Sequence, residues 1–379
     1  MKKSEEFGEI IYIVAYTLWM GVMFLRLTYF RDWVEIGEVT RDVQHVVLAL
    51  LVLRYALNPD LSWKGIGKLA VLVLFMFAAF SYGKLAFAVS LALVFSVGNI
   101  SFEKLLKITL LIQLIGFVIT VTCSQIGIIE DYMWITQTRR RHGLGFTHCL
   151  LGSHFVLFMS LICVTLIKKM KWWLAIAIFA ANYVMYIYTD ARTTIILSVF
   201  LVVAGLIAGL LERFFKPSRL LAVLSFAVPF AFWGVSAYGA KMFTPESPKM
   251  VWLNDFFNGR LLYMNRALKD YGVTLLGQKI KWIGESTLKA NPELVYNYVD
   301  NAYMQAFFTY GVLFTVLLCA GWGLVLYRNI LRGKYVMAVV VLVVLIHGII
   351  NPQMIELVYN PFFLCIGTLF ENKNREGEV

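Results

Sequence analysis

What most constrains this chain is the number of its long apolar runs. A helix needs about 20 mostly apolar residues to cross a hydrocarbon layer of about 30 Å. About twelve segments meet or approach that length: 10–25, 43–58, 66–80, 85–98, 105–127, 146–167, 172–189, 193–211, 219–240, 302–327, 335–350 and 355–370. Composition agrees, with 60% hydrophobic residues, only 15% charged and a mean hydropathy of +0.74. A soluble domain carries about 45–50% apolar and about 25% charged residues. A soluble enzyme, a disordered regulator and a nucleic-acid-binding module are therefore excluded. The expected architecture is all-α: one polytopic membrane domain over 1–379, with one long loop at 241–301. Glu5, Glu6 and Glu9 precede the first run, which reads as an uncleaved helix rather than a signal peptide.

The net charge of +11 is read against topology. With the N-terminus inside, 18 of the 34 Lys and Arg fall on inner connections, and eight of the others lie in 241–300. Long loops escape the positive-inside rule, so the comparison that orients the chain is 18 inside against 8 outside. Both termini are expected in the cytoplasm and the long loop outside. The five Cys are scattered through apolar runs without a CxxC and read as core residues.

Polar chemistry concentrates on the outer side. Arg139, Arg140 and Arg141 form a triple cluster that the topology rule disfavours there. It is either a solvated basic loop or a surface for an anion, since the guanidinium fork matches phosphate. Asp190 and Arg192 sit at a corner between two apolar runs, where they either tie the turn as an ion pair or hold an Arg at the mouth of a cavity. In the long loop, Phe257, Leu261, Met264, Leu268 and Tyr271 repeat at helical spacing. Arg260 borders that stripe and Arg266 falls opposite, toward water.

His142, His148 and His154 are six apart and do not share a helix face, so no metal site is expected. His347 reads as a core histidine or as the lining of a pocket near a helix end. Neither GxSxG nor a P-loop is present. Asp300, in Val299-Asp300-Asn301-Ala302-Tyr303, is either a helix N-cap or a general base at the membrane surface.

Four stretches together resemble the Wzy-type polysaccharide polymerases, relatives of the O-antigen ligases. They are Arg141-His142-Gly143-Leu144-Gly145-Phe146; Thr189-Asp190-Ala191-Arg192; Asn258-Gly259-Arg260 with Leu275-Leu276-Gly277 after it; and Val299-Asp300-Asn301-Ala302-Tyr303-Met304-Gln305, ending in Tyr310-Gly311. The motifs span roughly 139–311, and their order is more specific than any one of them. Ligases of this superfamily carry a His where Asp300 stands, and 241–301 contains no His. That departure favours a polymerase over a ligase.

The resemblance implies a GT-C-like membrane glycosyltransferase of the bacterial plasma membrane that uses neither metal nor cofactor. It would move a growing glycan from undecaprenyl pyrophosphate to a lipid-linked repeat unit on the outer face. Arg192 and Arg260 would stabilise the leaving pyrophosphate and Asp300 would take the acceptor's proton, with Asp190, Glu285, His142 and His347 as weaker bases. Arg139, Arg140, Arg141, His142, Asp190, Arg266, Tyr303 and His347 would bind pyrophosphate or glycan. The expected partners are undecaprenyl-pyrophosphate-linked oligosaccharides and membrane lipid, with room for a protein that sets chain length and no role for nucleic acid. A flippase or transporter is the rival from another class. It predicts repeated halves and charged, broken helices at the midplane.

Overall fold

The computed structural model describes residues 2–60, 62–135, 139–214 and 216–370. Helix accounts for 75% of the structure. The helices are α1 (Lys2–Arg26), α2 (Ile36–Leu57), α3 (Trp63–Ser81), α4 (Leu85–Phe95), α5 (Phe102–Gln125), α6 (Leu151–Ile167), α7 (Trp172–Thr189), α8 (Arg192–Phe214), α9 (Arg219–Met242), α10 (Pro248–Phe256), α11 (Arg260–Tyr271), α12 (Glu285–Ala290), α13 (Ala302–Leu331), α14 (Tyr335–Ile350) and α15 (Leu364–Thr368). Among the described residues, six are long and apolar enough to cross a membrane: Ser4–Arg26 within α1, α5, α7, α8, α9 and α13. Four shorter apolar helices, Gly65–Ser81, α4, α6 and α14, stand with them. Large apolar side chains such as Val52, Phe77, Ile187 and Val235 project outward, a surface suited to a membrane. The positive charges counted at Lys373 and Arg375 lie outside the described residues.

The bundle has two unlike ends. At one, short connections are tied by contacts such as Lys104 to Glu9 and the Arg54 guanidinium on the Ser96 and Val97 carbonyls. At the other, 126–135, 139–150 and 243–301 gather over the helix ends. There a two-stranded antiparallel ribbon, β1 (Met133–Ile135) and β2 (Arg140–His142), interrupts the all-helical expectation. Three-residue strands are too short to leave a period in the sequence.

The run at 355–370, expected as a twelfth helix, is not one. Residues 352–355 and 361–363 form 3-10 turns, and only 364–368 is α-helical. Pro352 and Pro361 each remove a backbone donor. The Asn360 side chain accepts from the Phe362 N–H and donates to the Met354 carbonyl, which holds the backbone away from helix. The carbonyls this frees are not left bare. Gln113, halfway along α5, donates to those of Val358 and Tyr359, at 2.7 and 3.2 Å. Irregular backbone at that depth is tolerated only when it is buried in protein in this way.

A second irregularity joins two of the quoted motifs. α13 breaks at Gly311, whose φ of +85° only glycine adopts freely. The freed groups bond the returning long loop: Val312 and Leu313 N–H donate to the Thr274 and Leu275 carbonyls, and Gln278 N–H to that of Thr309. Gly277 (φ +95°) lies against the break, and a Cβ on either glycine would strike the other segment's backbone.

Candidate functional site

Each of the four motifs builds one piece of the loop-rich end. Strand alternation in the ribbon puts Arg139 and Arg141 on one side and Arg140 and His142 on the other. Arg139 Nε lies 3.2 Å and Arg141 Nη2 3.8 Å from Oδ2 of Asp190. Asp190 ends α7 with a left-handed backbone (φ +46°), which turns the chain so sharply that Arg192 opens α8 beside it. Arg192 Nε then reaches Oδ1 at 3.3 Å. One carboxylate thus gathers three arginines. The Asp190–Arg192 pair tying the turn is present, but Arg192 remains 60% exposed and is available to a second anion. Arg141 carries a sharper signal: its Nε is buried with no hydrogen-bond partner. A buried donor without an acceptor is costly, and a ligand oxygen would relieve it.

Arg140 is exposed on the far side of the ribbon, away from Asp190. His142 Nδ1 lies 2.6 Å from Asp131 Oδ2, and Asp131 also accepts from the Leu144 N–H. This pair braces the turn from the ribbon into α6. The turn itself needs Leu144 and Gly145 at positive φ, and threads between Thr120, Ile129 and the end of α1.

The second half of the site comes from the long loop. Asn258 and Gly259 both adopt left-handed backbones, a two-residue corner that launches α11 with Arg260 at its first position. α11 buries Leu261 and Met264 of the expected stripe and half-buries Leu268 and Tyr271, and it also buries Asn265 and Ala267. Arg260 is pulled inward: Nε donates to the Ile350 carbonyl at 2.9 Å and Nη1 to that of Phe257 at 3.1 Å. Nη2 is left without a protein partner among the described residues. Arg266 is exposed on the opposite face, toward water, and joins no ion pair among the described residues.

Asp300 is not the N-cap of α13. Asn301 takes that role, accepting from the Met304 N–H and donating to Ser236 and to the Ile349 carbonyl. This frees Asp300, whose Oδ2 receives, among the described residues, only a long bond from the Tyr296 hydroxyl, 3.4 Å. Burial pushes its carboxyl above the usual aspartate range, against the pull of Arg260 and His148. Arg260 and Asp300 sense one another's charge without forming an ion pair.

His148 and Glu285 link the two halves. They lie 3.0 Å apart, and the hydrogen bond holds the Glu285 carboxyl below its usual range, with Arg141 adding to the effect. The ring centroids of Trp134 and His148 stand 5.2 Å apart. Glu285 is expected as a weaker base, but its contact with His148 cannot be read from spacing, because it spans 137 positions.

Two expected substrate contacts are corrected. Tyr303 is fully buried and spends its hydroxyl on the Leu345 carbonyl, so its ring offers nothing to a sugar. His347 is also fully buried, edge-to-face against His154 at 4.9 Å. With no exposed surface, it does not line a pocket. Among the described residues, no group of three His, Cys, Asp or Glu could hold a metal ion.

Comparison with protein-family models, with curated proteins and with solved structures finds no match to this chain.

Proposed function

We propose that the chain is a glycosyltransferase of the bacterial plasma membrane, acting as a Wzy-type polymerase. In this reading the bundle crosses the membrane about twelve times, counting 351–369 as a broken last crossing, with both termini cytoplasmic and the loop-rich end outside. The donor is a growing glycan on undecaprenyl pyrophosphate and the acceptor a lipid-linked repeat unit.

The observation that carries the reading is the unpaired neighbourhood of Arg260 and Asp300. A guanidinium with a free edge and a carboxylate with a raised pKa lie close enough to feel one another's charge without forming an ion pair. The acceptor hydroxyl oxygen attacks the anomeric carbon of the donor sugar, and its proton passes to Asp300. The bond from that carbon to the pyrophosphate oxygen breaks, and its electron pair leaves with the pyrophosphate. Arg260, the unsatisfied Nε of Arg141 and the exposed Arg192 offset the developing negative charge. No step calls for a metal.

Transport of the same lipid-linked sugar is the second reading. It is favoured by the broken, buried segment 351–363, because irregular backbone deep in a bundle is a habit of transporters. Membrane vesicles supplied with a purified lipid-linked repeat unit separate the two. A ladder of lengthened glycans, formed without nucleotide sugar or divalent cation and lost in Arg192→Ala and Arg260→Ala, supports polymerisation. Movement of the unit across the bilayer without lengthening sinks it.

A further inference from the structure

A separate cavity of about 950 Å³ opens at the loop-rich end, between α1, α2, α4, the start of α13 and residues 355–358. That is the upper end of the range of about 300–1,000 Å³ typical of small-molecule sites. None of the arginines of the Asp190 cluster lines it, nor does Arg260. Its wall is mixed in a particular way. Trp282 and Tyr298 present aromatic faces, and Gln305 and Glu356 present an amide and a carboxylate. Aromatic faces take the C–H side of a sugar ring, while amides and carboxylates take its hydroxyls.

Four cations complete the lining: Arg31, which pairs with Asp32 in the same wall, Arg41, which pairs with Glu38, and Arg26 and Lys84. Arg26 stands near Glu356 and senses its charge. Lys84, ahead of α4, is half-buried, and among the described residues its ammonium has neither a hydrogen bond nor an ion pair. Burial alone acts on its ammonium and pulls its pKa down, with no anion to offset the loss of water. An amine held in that state lacks a counter-charge.

We infer that this cavity binds an oligosaccharide bearing a carboxylate substituent, with Lys84 as its counter-charge. That the guest is a sugar rests on the glycan-transfer reading, whereas the need for an anion does not. The cavity adjoins the reacting groups. Gln305 donates to the Val299 carbonyl at 3.3 Å, next to Asp300, and Tyr298 lies two positions before it. A guest touching Tyr298 and Gln305 therefore sits against the short segment that carries Asp300, where an acceptor sugar would be needed.

The test uses the full chain in detergent micelles and reads tryptophan fluorescence, since Trp19 and Trp282 both line the cavity. The probes are tetragalacturonate and its neutral methyl ester, which share a skeleton and differ in charge. The acid is expected to bind about tenfold more tightly than the ester, the scale of one charge-assisted contact. That preference should vanish in Lys84→Met and survive in Lys84→Arg. Equal binding of acid and ester, an unchanged preference in Lys84→Met, or no saturable signal from either probe overturns the inference. Displacement of the acid by inorganic pyrophosphate at similar concentration also overturns it, by assigning the cavity to the lipid's phosphate linkage. Binding is read without turnover, so a chain that lengthens no glycan yet selects the acid loses only its polymerase assignment.

Discussion

Nε2 of His148 lies 3.0 Å from Oε2 of Glu285, clipping the turn that opens α6 to the far end of the long loop. The pair is partly exposed, so its worth to stability is small, about 0.2–1 kcal/mol. Its worth to the site is larger, because His148 is one of the groups whose charge acts on Asp300.

The pH dependence of that clip has a definite sign. Glu285 is held below its ordinary value of 4.5, so its contribution is fully present above that value. It is lost as pH falls through the depressed one. Thermal unfolding of wild type and Glu285→Gln should differ at neutral pH and converge in acid. A gap that persists unchanged below the depressed value would show that the ion pair does not form.

Asp300→Ala should separate chemistry from folding. Asn301 caps α13, and Asp300 is a half-buried carboxylate whose ionisation burial opposes. Its removal is expected to leave the melting temperature unchanged or slightly higher, while glycan lengthening falls by about 10²–10⁴-fold, the usual worth of a general base. Retained lengthening would remove Asp300 from the mechanism.

Tyr296→Phe should move the acid limb of activity to higher pH. A base works only when ionised, so activity falls as pH drops through the raised value of Asp300, above its ordinary 3.8. The Tyr296 hydroxyl favours the ionised form, and deleting it raises that value further. Arg260→Gln should shift residual activity in the same direction and farther, because Arg260 is the strongest of the groups that hold the value down. A limb that stays put in both variants means the titrating group is not Asp300.

Gly311→Ala and Gly277→Ala are expected to be severe. Each position combines a positive φ with a Cβ that would collide with the opposing backbone. Backbone strain of about 1–3 kcal/mol adds to a packing clash of about 1–3 kcal/mol. Melting temperature in detergent reads the loss directly. Near-normal stability in either variant would mean that the loop does not dock at the break in α13.

Much of the scaffold was legible from local pattern. The runs that become α1, α5, α7, α8, α9 and α13 stand out by length and apolarity. The stripe from Leu261 to Tyr271 is enough to place α11 and to set Arg260 and Arg266 on different faces. Pattern failed where the signal was short or where two explanations shared one composition. A three-residue strand has no period to detect. The run at 355–370 is as apolar as a helix, and only the prolines and Asn360 betray that it is not one.

Local sequence settles what a residue's immediate neighbours and its solvent impose: helix length, amphipathic faces, and the left-handed corners at Asp190 and at Asn258-Gly259. These depend on interactions within a few positions, so they can be read along the chain. Which of two adjacent residues, Asp300 or Asn301, caps α13 depends on Ser236 and the Ile349 carbonyl lying within reach. That Asp190 collects Arg139 and Arg141 depends on the ribbon folding over the end of α7. Such pairings follow from docking between segments far apart in the chain, where no spacing rule operates, and only the assembled bundle decides them.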